Sequence, residues 1–141
     1  MIILDSDHLS VLRFQSARAD RLKERLDQSS IPTIATSIVN VEEAMRGWLA
    51  AIAKERQIER QFLAYRELGE MFAFFSGFTI ASLDSKSIQL FKDFRTSGVR
   101  IGTMDLKTAC IAIANNALLL TANRRDFEKV PGLKFENWLD P

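Results

Sequence analysis

The chain has 141 residues, enough for one domain with a substantial buried core. Apolar residues make up 47% of it and charged residues 26%, which excludes a disordered or fibrous protein. The formal net charge of +1 neither requires nor excludes a nucleic-acid partner, because a local basic rim can bind phosphates whatever the total charge.

Three features bear on location. The opening Met1-Ile2-Ile3-Leu4-Asp5 is apolar and then acidic, unlike the basic start of a secretory signal peptide. The most hydrophobic stretch, residues 71–83, is shorter than the roughly 20 residues that a membrane span needs. Cys110 is the only cysteine, so it forms no internal disulfide, and this fits a reducing cytoplasm. We therefore expect a cytoplasmic protein without a membrane anchor.

Short apolar runs alternate with amphipathic stretches along the whole chain. Residues 1–4 are apolar without interruption, which is typical of a strand buried on both faces. Further strands are predicted at 31–35, 78–80 and 118–121, followed by a last short segment at 133–138.

Helices are predicted between these strands from capping residues and apolar spacing. They run from Ser6 through Arg13, from Arg18 to Gln28, from Thr36 or Ser37 through Trp48, from Ile52 to Phe75, from Asp84 or Ser85 to Gly98, and from Thr103 to Ala117. Strands that alternate with helices indicate an α/β fold. We expect one domain over residues 1–141, of three-layer α/β/α type, with a central parallel sheet of about four to five strands flanked by helices.

Four acidic residues far apart in sequence lie beside predicted core elements. Asp5 ends the first strand, and Asp126 follows the fourth, close to Asn123. Asp105 lies in the first turn of one helix, and Glu43 lies inside another. Open parallel sheets bind ligands at the carboxyl ends of their strands, so the four acids can converge there. Each alone could be a cap or a solvated side chain, and only their joint placement predicts an acidic pocket.

Converging carboxylates repel one another unless a divalent cation lies among them. Hard oxygen ligands suit Mg²⁺ or Mn²⁺. The residues therefore favour a metal-dependent enzyme that acts on phosphodiesters. Candidate phosphate contacts are the cations near these acids, although each could also be an ordinary solvated charge. They are Arg46, Lys107, Arg124 and Arg125.

Four segments carry a more specific signal when they are taken in order. They are Met1-Ile2-Ile3-Leu4-Asp5-Ser6-Asp7-His8-Leu9, Ser37-Ile38-Val39-Asn40-Val41-Glu42-Glu43-Ala44-Met45-Arg46-Gly47, Ile101-Gly102-Thr103-Met104-Asp105-Leu106-Lys107-Thr108-Ala109, and Leu119-Leu120-Thr121-Ala122-Asn123-Arg124-Arg125-Asp126-Phe127. Together they resemble the motifs of PIN-domain ribonucleases, specifically the VapC-like toxins of bacterial type II toxin–antitoxin modules. The family's Glu stands four residues before a Gly, a spacing that selects Glu43 over Glu42.

The resemblance implies an endoribonuclease that hydrolyses RNA with Mg²⁺ or Mn²⁺ and acts as a toxin. The catalytic residues implied are Asp5, Glu43, Asp105 and Asp126. The metal ligands implied are Asp5, Asp105, Glu43 and Asn123.

The chain departs from the family pattern at three positions. Ser6 replaces the usual Thr but keeps a hydroxyl, and with Thr121 it is an expected substrate contact. Asp7 stands where Asn is more common, and Asn123 where many relatives have Asp. Whether Asn123 or Asp126 completes the site, and whether a second metal binds, stays open.

Partners are also implied by the resemblance. The apolar stripe within residues 58–75 is expected to be mostly core, but part of it, with Trp48 and Leu49, could form a groove for a segment of an antitoxin. Members of the family are typically homodimers, so some apolar surface would face a second copy. His8 is expected on the surface near the site, and Cys110 in the core.

Two alternatives remain at this stage. Asp5-Ser6-Asp7 is also the Asp-x-Asp of haloacid-dehalogenase-like phosphatases, in which the first Asp is a covalent nucleophile. That family continues with Gly-Thr, which His8-Leu9 does not match. The second alternative is a catalytically degenerate PIN domain that binds RNA or a partner without cutting, for which Asn123 is the main support.

Overall fold

The computed structural model describes residues 1–139, in which five strands form one sheet. The strands are β1 (Ile2–Leu4), β2 (Ile34–Ser37), β3 (Thr79–Ala81), β4 (Leu118–Leu120) and β5 (Lys134–Glu136). All neighbouring strands are parallel, in the order β3-β2-β1-β4-β5. The predicted α/β class and parallel sheet are therefore confirmed, and the segment predicted at 133–138 contains the fifth strand.

Seven helices connect these strands within the described residues. They are α1 (Ser6–Arg13), α2 (Ala17–Gln28), α3 (Ile38–Lys54), α4 (Ile58–Phe75), α5 (Ser85–Thr96), α6 (Thr103–Ala114) and α7 (Arg124–Phe127). The single helix predicted over residues 52–75 is wrong, because α3 continues to Lys54 and α4 begins only at Ile58. The side-chain amide of Gln61 stabilises the break by donating to the carbonyls of Ile52, at 3.2 Å, and Glu55, at 2.7 Å.

Strand β2 also begins later than predicted, at Ile34 rather than at Ile31. Pro32 lies in the skipped segment, and a proline has no N–H to offer a sheet ladder. Instead, the carbonyl of Thr33, just before β2, accepts a hydrogen bond from the main-chain N–H of Ile2 in β1 at 2.8 Å.

The sheet separates two hydrophobic cores, as a three-layer fold requires. Successive residues of β1 point to opposite faces, so Ile3 packs with Leu106 in one core, while Ile2 and Leu4 pack with Met71 in the other. All five of these side chains are fully buried. Strand β1 therefore packs against side chains on both faces of the sheet. This packing fixes the position of its carboxyl end, which Asp5 follows.

Most of the apolar stripe on α4 is exposed, so the expectation that it is mainly core is wrong. Phe62 is 63% exposed, Tyr65 55% and Phe72 57%, whereas Met71 and Phe75 are buried. The cause is the side of the helix on which each residue lies: Phe62, Tyr65 and Phe72 follow helical spacing along one side of α4, whereas Met71 and Phe75, four residues apart, lie on the side that packs on the core. Even so, no helix within residues 1–139 is long and apolar enough to cross a membrane.

Candidate active site

Asp5 lies at the carboxyl end of β1, where the strand order changes direction between β1 and β4. Its side chain is only 8% exposed. One carboxylate oxygen accepts from Asn40 Nδ2 and the other from Thr121 Oγ1, both at 2.8 Å. Burial raises the pKa of Asp5 even though these hydrogen bonds act in the opposite direction. The carboxylate is therefore held in a fixed position in which its charge is poorly solvated.

Asp105 lies in the first turn of α6 and shows that the predicted acids share one environment. Its pKa is raised to about 6, first by burial and then by the negative charges of Asp5, Asp126, Glu43 and Asp7. The fold has thus brought together four acids that are up to 121 positions apart in the sequence. We call Asp5, Glu43, Asp105 and Asp126 the acid cluster.

Asn123 connects two members of the acid cluster. Its side-chain Nδ2 donates to Asp105 Oδ2 at 3.3 Å and to Asp126 Oδ2 at 3.1 Å. Asp126 also lies 3.9 Å from the ammonium group of Lys129. In this arrangement the amide of Asn123 orients the two carboxylates.

Helix α3 presents Glu43 to the acid cluster and Glu42 elsewhere. The hydroxyl of Ser6 donates to Glu43 Oε2 at 2.8 Å, which ties α1 to α3 beside Asp5. Glu42 pairs instead with Arg46, with 2.6 Å between Oε2 and the guanidinium. The geometry thus agrees with the choice of Glu43 over Glu42 that the motif spacing favoured.

The side-chain atoms of the acid cluster and of Asn123 that could bind a metal are oxygens, which suit a hard divalent cation. The side chains offer carboxylate and amide oxygens, and the mutual repulsion that raises the pKa of Asp105 is what a cation would relieve. Within residues 1–139, however, no group of three or more His, Cys, Asp or Glu side chains has a geometry that could hold a metal ion. Side-chain rearrangement, starting with the Asn123 amide that bridges two of the acids, would therefore accompany metal binding.

The residue that the sequence analysis most clearly missed is Asn40. It is 2% exposed, donates to Asp5 and, at 3.1 Å, to the hydroxyl of Ser6, and accepts from the hydroxyl of Ser37 at 2.6 Å. A signal was present, because Asn40 stands three residues before Glu43 on the same helix and therefore on the same face.

The surface position expected for His8 is wrong, since this side chain is fully buried. Its ring Nδ1 lies 2.6 Å from Asp7 Oδ1, and its Nε2 accepts from the main-chain N–H of Trp138 at 3.1 Å. Asp7 in turn accepts from the main-chain N–H of Ala122 at 2.7 Å. Burial alone would raise the pKa of Asp7, but the hydrogen bonds from His8 and Ala122 outweigh it, and the pKa is lowered.

The expected substrate contacts fall into two groups. Arg46 is 70% exposed and pairs with Glu42 on α3. Arg124 is 84% exposed and pairs with Glu128, the residue after α7. Arg125 is also exposed, and Lys107 is half-buried. Thr121, by contrast, is buried and its hydroxyl donates to Asp5, so it supports a carboxylate instead of facing a ligand.

A cleft of about 280 Å³ leads away from the acid cluster. It begins at Ser6 and Glu43, passes Arg13, and ends at Trp48 and Phe74. Its walls are therefore polar next to the acids and apolar toward α4. The cleft is thus lined both by Glu43 of the acid cluster and by Phe74 and Phe75 near the end of α4.

Comparison with protein families agrees with this geometry. The family model described as "PIN domain" matches residues 2–133, which include every residue of the acid cluster. The chain belongs to the PIN-domain family. PIN-domain ribonucleases generally use a divalent metal, which suits the oxygen ligands described above.

Comparison with individual proteins shows which members of the PIN-domain family this chain resembles. Ribonuclease VapC2 of Rickettsia felis is 31% identical over 110 residues, which cover 75% of each chain. The crystal structure of VapBC2 from Rickettsia felis, bound to a DNA fragment from its promoter, matches with a TM-score of 0.70 and 26% identity, covering 98% of this chain and 99% of that one. VapBC-1 from nontypeable Haemophilus influenzae shares the fold, with a TM-score of 0.67, 22% identity and coverage of 99% and 100%. This PIN domain is therefore VapC-like.

Proposed function

We propose that this VapC-like PIN domain is an endoribonuclease that hydrolyses RNA phosphodiester bonds with Mg²⁺ or Mn²⁺, and that it is the toxin of a toxin–antitoxin system acting in the cytoplasm. The observation that carries the enzymatic part is the acid cluster at the carboxyl end of β1, in which the pKa of Asp105 is raised to about 6 by burial and by neighbouring charges. Ionised carboxylates crowded in this way favour a divalent cation, and such an ion suits a phosphodiester substrate.

The residues of the cluster have distinct roles in this proposal. Asp5, Asp105 and Glu43 would hold the ion, which supplies an activated water and neutralises charge on the phosphate oxygens. Without the ion, Nδ2 of Asn123 bridges Asp105 and Asp126, and on metal binding its amide would turn so that its carbonyl oxygen contributes to the metal.

Exposed cations around the cluster would bind the RNA backbone. Arg46 pairs with Glu42 and Arg124 with Glu128, and exposed pairs of this kind contribute about 0–1 kcal/mol, so an RNA phosphate can compete for both arginines. Arg125 and Lys107 would extend the same rim. Such contacts position a substrate but do not read its sequence.

Removal of divalent metal is expected to abolish cleavage. With purified protein from cell-free synthesis and a fluorescent single-stranded RNA, Mn²⁺ or Mg²⁺ should support cleavage and EDTA should reduce it to background, since the acid cluster alone has no group suited to activate water. Restoring the metal after EDTA is the control for damage to the protein. Cleavage that continues unchanged in EDTA would contradict the proposal, and RNA binding without cleavage under all conditions would support the degenerate PIN domain instead.

The phosphatase alternative receives no support from the geometry. In that mechanism Asp5 is a nucleophile and Asp7 an acid and base, yet Asp7 is held by His8 and by the N–H of Ala122. Asp7 is therefore not free for the acid–base role that this alternative requires.

The exposed face of α4 is proposed as the docking surface for an antitoxin. Exposed apolar side chains that share a helix in this way mark an interaction site, and Phe74 and Phe75 of the same helix line the cleft that contains Glu43. A segment of the antitoxin could therefore lie along α4 and enter the cleft. Part of the remaining apolar surface would face a second copy in a homodimer.

A single charge placed on α4 is expected to weaken antitoxin binding. Phe62→Asp or Phe72→Asp should lower affinity for the small protein encoded beside this gene by at least ~30-fold, as for a truncated interface hot spot, while cleavage of RNA stays within about twofold. Ile88→Asp on α5, which is 43% exposed, is the matched control. Calorimetric titration measures the affinity of each protein for the antitoxin, and the RNA assay measures cleavage. Equal affinities for the wild type and the three variants would rule out α4 as the docking surface.

A further inference from the structure

Asp7 is an acid next to the cluster whose oxygens are already used by the protein. Its Oδ1 accepts from the main-chain N–H of His8 at 2.7 Å and lies 2.6 Å from the His8 ring, while its Oδ2 accepts from the N–H of Ala122 at 2.7 Å. The Oδ2 also lies 3.4 Å from the hydroxyl of Thr121, so each oxygen of Asp7 has two protein partners with which a cation would have to compete. The carboxylate therefore acts on the protein around it.

Ala122 lies between two residues that contact the acid cluster. Thr121 donates to Asp5, and Asn123 donates to both Asp105 and Asp126. The bond from Ala122 to Asp7 joins this turn to the start of α1, across 115 positions of sequence. A shift of Ala122 would consequently move both of the neighbouring donors.

His8 determines the orientation of Asp7. The main-chain N–H of Trp138 can donate only to an unprotonated Nε2, so the proton of the neutral ring is on Nδ1, which points at Asp7. The ring is fully buried and touches no solvent. Trp138 is itself held, because the guanidinium of Arg25 lies 4.4 Å from the centre of its ring.

We infer that Asp7 and His8 form a positioning pair that holds the turn of residues 121–123 in the place where Thr121 and Asn123 orient the acid cluster. The inference rests on the proposed nuclease function, because the acid cluster is what the pair positions. It assigns Asp7 to the support of the site, not to its metal ligands. It also makes the segment around Trp138 part of the active-site framework.

Substitutions in the pair should lower turnover without changing RNA binding. Asp7→Ala and His8→Gln are each expected to reduce kcat by roughly 10–100-fold, the usual effect of losing a residue that orients a metal ligand, with KM within about twofold. His8→Asn should keep more activity than His8→Gln, because its amide nitrogen can occupy the position of Nδ1. The double variant should be no slower than the slower single variant, since both changes break the same connection.

Amide hydrogen exchange gives a readout that does not depend on activity. In Asp7→Ala, which removes the acceptor of the Ala122 N–H, exchange at Ala122 should accelerate by at least ~10-fold, while exchange at Leu119 in the buried strand β4 stays unchanged. Asp93→Asn, which removes an exposed carboxylate on α5, is the control and should change neither rate nor exchange.

Three results would overturn the positioning pair. They are wild-type turnover in Asp7→Ala, unchanged exchange at Ala122 in Asp7→Ala, and loss of Mn²⁺ binding in Asp7→Ala with normal binding in both His8 variants, which would make Asp7 a ligand. If the wild-type protein itself does not cut RNA, the nuclease proposal fails, and the exchange experiment still decides whether the pair holds the turn.

Discussion

Asp105→Asn and Asp5→Asn are each expected to reduce RNA cleavage by on the order of 10³-fold or more. A metal ion contributes several kcal/mol of transition-state stabilisation, and each 1.36 kcal/mol corresponds to about a factor of ten in rate. The substitution replaces a charged oxygen ligand by a neutral amide of almost the same shape, so binding of the ion is lost while the packing around it is kept. The ratio kcat/KM, measured for every protein at the Mn²⁺ concentration that saturates the wild type, gives the loss, and circular dichroism checks that the fold is intact.

A matched pair of glutamates provides the control. Glu43→Gln should also impair cleavage, because Glu43 faces the acid cluster and is held by Ser6. Glu42→Gln should leave kcat/KM within about twofold, because the neighbouring Glu42 pairs with Arg46 away from the cluster. Equal rates for the two variants, or near-wild-type cleavage by Asp105→Asn and Asp5→Asn, would exclude the acid cluster as the metal site.

The position of Asp5 was predictable because local sequence and topology both determine it. An apolar run of three or four residues in an α/β pattern is a buried parallel strand, and a polar residue that ends it must lie at the carboxyl edge. The same rule predicts that Asn123 and Asp126, which come after β4, lie at the carboxyl edge of the sheet. Asp105 was placed by its position in the first turn of a helix, although the sequence alone did not show how closely the other carboxylates approach it.

Other features depend on contacts that no local pattern encodes. His8 is buried because the chain returns at Trp138, 130 positions later, and supplies a donor to its ring. Phe62 and Phe72 are exposed because they lie on a side of α4 that no other part of residues 1–139 covers, and helical spacing shows which residues share a face but not what covers that face. In both cases the tertiary arrangement, not the propensity of the segment, decides burial.

Metal affinity is expected to fall steeply in mildly acidic solution. Asp105 has a pKa of about 6, and a carboxylate must be ionised to hold a cation, so the apparent affinity for Mn²⁺ should drop by about tenfold per pH unit below pH ~6. The pKa of Asp5 is also raised, which would make the decrease steeper at lower pH. Titration of Mn²⁺ by its electron paramagnetic resonance signal, between pH 7 and pH 5, tests this directly. A constant affinity over that range would show that Asp105 does not hold the ion.

Stability without metal should change with pH in the opposite direction. Because the folded-state pKa of Asp105, about 6, lies above the ordinary value of 3.8, the folded protein binds this proton more tightly than the unfolded chain. Its contribution to the free energy of unfolding is therefore full below pH ~4 and is lost as the pH rises through about 6. Asp105→Asn should remove this loss and stabilise the metal-free protein at pH 7 by of order 1 kcal/mol, after allowance for solvent screening of a half-buried group. Urea unfolding of both proteins at pH 4 and pH 7 in EDTA measures the difference, and a less stable Asp105→Asn at pH 7 would mean that the carboxylates of the acid cluster do not repel one another.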